Sequence, residues 1–304
     1  MPPTSAEGAN NPISPIQSEE LSSSPPNFWS TPHGTQLAYH YHDSTPDKLN
    51  PKAGILFLNG FLSTMNGTKA LSLQNHCHAT GRPYCRFDYS RVGASSTSSR
   101  GSKNDSDSSL TISIWFQDAL SLLDHLVELN GNNNNPKRQW ILVGSSMGAW
   151  LALQVAMQRS EMVGAVVGLA AAYPDFVQKH LLTPKQLEQV NDTGSCRLTS
   201  QYDQVQGFEV TREFLQDAQQ LQLLDQKRLS HWPPNVPVRL IHGQADVDIP
   251  WSTSAELVKI LQSSSSSEDC HDAIQVHLIS DGDHRLSRPQ DLQFWTDILE
   301  ELGI

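Results

Sequence analysis

The chain has 304 residues, enough for one large α/β domain or two small ones, and one domain is the default reading at this length. Its formal net charge of −11, with no clustered Lys/Arg footprint, excludes a nucleic-acid partner. No apolar run reaches the about 18 residues of a membrane span, which excludes integral membrane association.

Residues Met1 to about Pro26 are rich in Ser, Pro, Asn and Gly and poor in large apolar side chains. They cannot offset the entropy of ordering, so residues 1–26 are expected to be a tail outside the fold, with one domain over 27–304. The first Lys or Arg is Lys48, and Glu7, Glu19 and Glu20 precede it. Secretory signals carry an apolar core and organelle leaders are Arg-rich and poor in acids, so the expectation from this composition is a cytoplasmic protein. The four cysteines, Cys77, Cys85, Cys196 and Cys270, lack C-x-x-C or zinc spacing and read as free, buried thiols of a reducing compartment.

After the tail, Asn27 to Thr31 and Thr35 to Tyr41 flank a Pro-His-Gly turn and predict an opening hairpin. The elements then alternate. Strands are predicted at Ala53–Leu58, Tyr84–Tyr89, Trp140–Val143, Met162–Ala172, Val238–Ile241 and Ile274–Ile279. Helical spacing covers Thr68–Ala79, Ile112–Leu129, Met147–Gln158, Thr253–Leu261 and Pro289–Leu302. Continuous apolar strands between amphipathic helices predict an α/β fold, a doubly wound, mostly parallel sheet covered on both faces. The interval from about 173 to 236 breaks this rhythm. It is Gln-rich and polar, with helical stretches at Pro184–Val190 and Thr211–Leu224 and no good strand, and is expected to be a small helical cap insertion over the carboxyl end of the sheet. The tracts Asn132–Asn135 and Ser263–Ser267 read as polar surface loops.

Gly144-Ser145-Ser146-Met147-Gly148 is a G-x-S-x-G motif placed where an apolar strand ends and a small-residue helix begins. That is the setting of a nucleophile elbow, a sharp turn that lifts a serine hydroxyl above the sheet. A hydroxyl is a poor nucleophile at neutral pH, so it requires a base within hydrogen-bond reach and a group that fixes the base's tautomer. In the expected chain order Ser, Asp, His, the partners are Asp246, after the strand ending at His242-Gly243, and His284, after the last strand. Asp248, Asp281 and Asp283 are the competing acids; Asp246 is preferred because an acid beside a histidine cannot fold back onto a ring that also faces the serine. His242 reads as a structural histidine, and His76, His78 and His125 as surface or core residues of helices. The amides of Met147, at a helix N-terminus, and of Phe61, in the Asn59-Gly60-Phe61 turn, are the expected oxyanion hole. Phe61, Trp150, Tyr173, Phe176 and Phe214 suggest an apolar acyl pocket, although core packing is the expected role of most of them.

Five blocks carry a resemblance: Phe57-Leu-Asn-Gly-Phe-Leu-Ser-Thr-Met-Asn-Gly67, Arg86-Phe-Asp-Tyr-Ser90 with Val92-Gly93, Val143-Gly-Ser-Ser-Met-Gly-Ala-Trp150, His242-Gly-Gln-Ala-Asp246 with Pro250, and Asp283-His-Arg285. Together the chain resembles the α/β-hydrolase superfamily over nearly everything after the tail. Within it the blocks are similar to the palmitoyl-protein thioesterases that also act as acyl-glucuronide esterases, and to bacterial carboxylesterases. The resemblance implies a Ser146, Asp246, His284 triad that cleaves a small-molecule ester, an acyl thioester or an acylated protein through an acyl-enzyme, with no cofactor and no metal. Asn59 stands where Pro or His is more usual before the oxyanion glycine, and Arg91 where a small residue is common. Animal members of the group are mitochondrial, a location not transferred here because a basic leader is not evident. The competing reading from another class is a catalytically quiet ligand-binding or scaffold protein on the same fold. Oligomeric state, acyl length and the choice of ester over thioester are not legible.

Overall fold

The computed structural model describes residues 24–43, 52–95, 110–130, 138–200, 203–263 and 272–304. The expected tail up to residue 23, the Asn132–Asn135 loop, residues 264–267 of the Ser tract and Cys270 lie outside these.

Ten strands and seven α-helices make up the described chain: β1 (Asn27–Ser30), β2 (Gln36–His42), β3 (Gly54–Leu58), α1 (Thr68–Thr80), β4 (Tyr84–Phe87), α2 (Ile112–Asn130), β5 (Trp140–Ser145), α3 (Met147–Gln158), β6 (Val163–Leu169), α4 (Pro184–Thr193), β7 (Ser195–Ser200), β8 (Asp203–Thr211), α5 (Arg212–Leu229), β9 (Val238–Gly243), α6 (Ser252–Gln262), β10 (Ile274–Ile279) and α7 (Pro289–Glu301). Eight of the strands form one sheet in the order β1-β2-β4-β3-β5-β6-β9-β10. The opening hairpin is antiparallel and joins β4 antiparallel, while every pairing from β4 to β10 is parallel. This is the α/β-hydrolase fold, a mostly parallel sheet with flanking helices.

Alternation along each strand divides the core in two. Leu56, Leu58, Leu142 and Val166 pack toward α2, α3, α5 and α6. Ile55, Phe57, Ile141, Val143, Ala165 and Val167 pack toward Ala70, Leu73 and Cys77 of α1 and Trp295, Ile298 and Leu299 of α7. With both faces covered, β3, β5 and β6 are buried along their whole length, which is why they read as continuous apolar runs rather than as alternating ones. The chain runs from β3 to β4 on one side and back to β5 on the other. The strand order therefore reverses at the β3/β5 junction, where folds of this kind open a crevice at the carboxyl ends of the strands.

The apolar run Met162–Ala172 is longer than its strand. β6 ends at Leu169, and Ala170 turns with φ 49° before Ala171 and Ala172, fully buried, pass behind the elbow. Between β6 and β9 the chain leaves the sheet through a π-helical turn (Val177–Leu181), α4, β7, β8 and α5. The expectation that this interval holds no strand is corrected by the antiparallel β7–β8 pair. Its inward residues are Cys196, Leu198 and Val210, with Phe208 half-buried, and Cys196 faces Val210 as Leu198 faces Phe208. β7 thus has only two apolar residues and β8 three, scattered among Ser, Arg, Gln, Asp and Glu, too few to register as strands without the partner on which they pack.

Candidate active site

Each candidate side chain sits in the loop after one of four parallel strands, so all face one rim: Phe61 after β3, Ser146 after β5, Asp246 after β9 and His284 after β10. Ser146 has φ 54° and ψ −117°, a left-handed conformation that a side-chain-bearing residue holds only when its surroundings enforce it. The enforcement is steric. A Cβ on Gly144 would lie 2.2 Å from the Gly148 carbonyl oxygen, and one on Gly148 would lie 2.2 Å from that of Leu58. Strand, turn and helix approach so closely that only glycine fits at either position, and the Ser146 N–H is tied to the Leu169 carbonyl at 2.7 Å.

Ser146 Oγ stands 3.2 Å from His284 Nε2, and His284 Nδ1 stands 2.7 Å from Asp246 Oδ2. The Asp246 side chain is fully buried, whereas that of His284 is 22% exposed. Burial acts to raise the Asp246 pKa, but hydrogen bonds from His242 and His284, the His284 charge and the Ile249 amide outweigh it and hold the carboxyl well below its ordinary range. An ionised Asp246 only accepts, so Nδ1 carries the His284 proton and Nε2 is left to accept from the serine hydroxyl.

Two of the competing acids are engaged elsewhere. Asp281 pairs with Arg288 at 2.8 Å, and Asp283 Oδ1 accepts from the amides of Arg285 and Leu286. Asp248 is exposed at the mouth and donates its amide to Asp246 Oδ1 at 2.9 Å, beside the Ile249 amide at 2.8 Å. Asp246, Asp248 and His284 offer ligand atoms within 4.8 Å of one another, but both His284 nitrogens and both Asp246 oxygens already take part in the hydrogen bonds above.

His242 has a part that sequence reasoning missed. It is fully buried, and its Nε2 meets Asp246 Oδ2 at 3.0 Å and the Ile249 carbonyl at 3.2 Å, while Nδ1 meets Ser254 Oγ at 2.7 Å. Two acceptors at Nε2 require the proton there, so Oδ2 receives N–H groups from two histidines. The i, i+4 spacing of His242 and Asp246 across a tight strand-end turn is the signal that could have found it.

Met147 heads α3, so its N–H belongs to the first helical turn, whose amides have no intrahelical partner. Gly60 lies beside the nucleophile position, a Cβ there falling 3.5 Å from Ser146 Cβ, and Phe61 follows it. The segment from Asn59 to Gly67 is held from β4 and the turn after it. Asn59 Nδ2 donates to the Phe87 carbonyl at 2.6 Å, the Met65 amide to Asp88 Oδ1 at 2.6 Å, and Arg86 to the Met65 carbonyl, Asn66 and Gln74 at 2.6–2.9 Å. Gly93 lies so close to Asp88 that a Cβ would fall 2.2 Å from Oδ2. The Arg86–Ser90 block is therefore a brace for this loop.

Two cavities open at the elbow. One, of about 280 Å³, runs from Ser146 and His284 past Phe61, Leu62, Phe176, Leu181, Leu198 and Ile249. The other, of about 390 Å³, is polar, with Ser63, Asn66, Thr68, Lys69, Arg285 and Ser287 in its wall. Lys69 donates to the Arg285 carbonyl. Desolvation lowers its pKa to about 8, opposed by Asp283 and Asp291 and assisted by Arg285. Of the aromatic residues expected at the mouth, Phe61 and Phe176 line the cavity at Ser146 and His284, while Trp150 and Phe214 are core. Cys77, Cys85 and Cys196 are free and buried, and burial pushes each thiol pKa up. No helix of the described residues is long and apolar enough to cross a membrane.

A sequence profile described as alpha/beta hydrolase family matches residues 55–292. Human mitochondrial palmitoyl-protein thioesterase ABHD10 is 34% identical over 277 residues, covering 90% of this chain and 79% of its own length. The mouse protein of that name is 32% identical over 250 residues, covering 82% and 74%. Among solved structures, mouse alpha/beta hydrolase domain-containing protein 10 superposes with a TM-score of 0.67 at 29% identity, covering 92% of this chain and 98% of its own. A putative hydrolase from Agrobacterium vitis S4 gives 0.71 at 27% identity, covering 91% and 98%. The relatives' names correct the cytoplasmic expectation, because they are mitochondrial. A compartment is chosen by receptors that read a short leader, so the charge and cysteine pattern of a folded domain does not encode it.

Proposed function

We propose that this chain, which belongs to the alpha/beta hydrolase family, cleaves carboxylic esters or thioesters by two-step acyl transfer, with Ser146 as nucleophile, His284 as general base and Asp246 as the group that orients the base. The observation that carries the reading is the hydrogen-bonded series Ser146 Oγ, His284 and Asp246 at a strained strand-to-helix turn. His284 Nε2 takes the hydroxyl proton as Ser146 Oγ attacks the carbonyl. The amides of Met147 and Phe61 face the developing oxyanion. His284 then returns the proton to the departing alcohol or thiol, and a water, activated by the same nitrogen, releases the acid from the acyl-enzyme. Asp246 stays ionised throughout and stabilises the imidazolium, in keeping with its depressed pKa.

The apolar wall of the 280 Å³ cavity suits the acyl group, and the polar cavity suits the leaving group. The relatives are named mitochondrial palmitoyl-protein thioesterases, which supports acyl thioesters of proteins as substrates and a mitochondrial location for this chain. Labelling with a fluorophosphonate probe, wild type against Ser146→Ala, tests the reading. Labelling of the wild type alone is the expected outcome; a folded wild type that takes no label would leave a ligand-binding protein on a hydrolase scaffold.

A further inference from the structure

The polar cavity has no Asp or Glu among its described wall residues, in a chain whose formal net charge is −11. Its charged side chains are Lys69 and Arg285, and both also line the cavity that holds Ser146 and His284. They therefore stand where the two cavities join. The acids that act on the Lys69 charge are held by other groups: Asp283 accepts from the amides of Arg285 and Leu286, and Asp291 pairs with Arg288. A third cation lies behind the wall. Arg86 is fully buried and donates to Gln74, Asn66 and the Met65 carbonyl, all neutral, while its Nη2 has no hydrogen-bond partner among the described residues. Asn66 is itself part of the cavity wall, and so is the start of α1, whose N-cap Gly67 makes no side-chain cap and whose first turn has no acid. The positive end of the helix dipole thus adds to the three cations. Positive charge withdrawn from water without a counter-charge costs free energy that an anion in the cavity would offset.

We propose that this cavity recognises a carboxylate on the leaving side of the scissile bond, supplied by an acidic residue next to the acylated cysteine of a protein substrate. This rests on the acyl-transfer reading above and names a sequence context which that reading leaves open. Consecutive residues lie about 3.8 Å apart, so an Asp or Glu one or two positions from the cysteine keeps its carboxylate within reach of the junction while the thioester carbonyl meets Ser146. Lys69 offers a point charge and Arg285 a planar fork of donors, and a lysine at the same substrate position is repelled by both. Desolvation is the largest influence on Lys69 and lowers its pKa to about 8; an anion beside it favours the charged form again.

The test is thiol release by the full chain from short peptides with one S-octanoyl cysteine, flanked by Asp or Glu, by the isosteric Asn or Gln, or by Lys. The acidic peptides are expected to show kcat/KM about tenfold above the amide ones, with the Lys peptides lowest. In Lys69→Gln and in Arg285→Gln the acid-to-amide ratio falls toward one, and a general loss of turnover in either variant would not move that ratio. Octanoyl esters of p-hydroxybenzoate and p-hydroxybenzamide separate a free carboxylate from one carried by a peptide. A ratio near one for the wild type, or a ratio unchanged in both variants, would overturn the carboxylate site, with fluorophosphonate labelling leaving the hydrolase reading intact. A preference among the small esters with none among the peptides, or no peptide turnover by an enzyme that takes the label, would overturn the protein source of the carboxylate. No turnover of any substrate and no labelling would overturn both readings.

Discussion

Ser146 occupies a backbone conformation that costs about 1–3 kcal/mol for a residue with a side chain, and the close packing around Gly144 and Gly148 is what holds it there. Strain kept at the hydroxyl that faces His284 is what a nucleophile requires and what a binding surface does not. Ser146→Ala is expected to lower kcat by ~10⁶. Its thermal midpoint should stay within a few degrees of the wild type, as circular dichroism would register. Asp246→Asn retains the shape of the carboxylate but offers His284 the wrong partner, and a loss of ~10⁴ in kcat is expected for it. His242 acts one residue further back, through Asp246. Replacing it with Phe keeps a planar aromatic ring, slightly larger than imidazole, and removes the N–H on Oδ2, so steady-state kinetics should show kcat lower by about tenfold with KM unchanged, the reverse split counting against a link to the proposed triad.

Between elements, the decisive contacts are those that bring two loops to one turn. The loop after β3 donates from Asn59 to the Phe87 carbonyl and from the Met65 amide to Asp88, and accepts from Arg86, all three side chains being buried, and it carries Phe61 to the elbow. Loss of one oxyanion donor costs about 10²–10³ in kcat, and Arg86→Met, which loosens the donor's loop without deleting the donor, should cost at least about tenfold. The expected readout is a fall in kcat with fluorophosphonate labelling slowed in proportion; labelling at the wild-type rate would detach Arg86 from the site. The α3 helix meets the same loop from the other side. In Gly148→Ala the new methyl would collide with the Leu58 and Asn59 carbonyls, and a loss of about 3 kcal/mol is expected in urea unfolding, together with loss of turnover.

At the scale of the whole molecule, the proposed role of Asp246 as the carboxylate that orients His284 would couple activity to stability. The folded-state pKa of Asp246 is depressed below the about 3.9 of an unfolded aspartate. The folded state therefore favours the ionised form. That contribution is present in full above about pH 4–5 and is lost as pH falls through the folded pKa. The difference in urea midpoint between wild type and Asp246→Asn should be constant near neutral pH and shrink as pH falls below about 4. A gap that grows toward acid would reverse the assignment. The parallel sheet makes this coupling possible, because it gathers four loops that are far apart in sequence onto one rim, where the Asp246–His284 hydrogen bond links the loop after β9 to the loop after β10.

Local spacing specified much of this protein. The buried runs Ile55–Leu58, Trp140–Val143 and Val163–Leu169 announced a covered sheet, and Gly-x-Ser-x-Gly between such a run and a small-residue helix marked the position of Ser146. The positions of Asp246 and His284 at strand ends were legible for the same reason, since a parallel sheet sends its carboxyl ends to one side. Other features depended on partners distant in the chain. The β7–β8 pair exists because Cys196, Leu198, Phe208 and Val210 find a shared face, and His242 reaches Asp246 because α6 sets Ser254 on its other nitrogen. Arg86 and Asp88 became the brace of the β3 loop only once β4 lay beside β3. Period and composition record which side of an element faces a core, whereas hydrogen-bond partners and the lining of a cavity depend on which elements meet, and that is decided by tertiary packing.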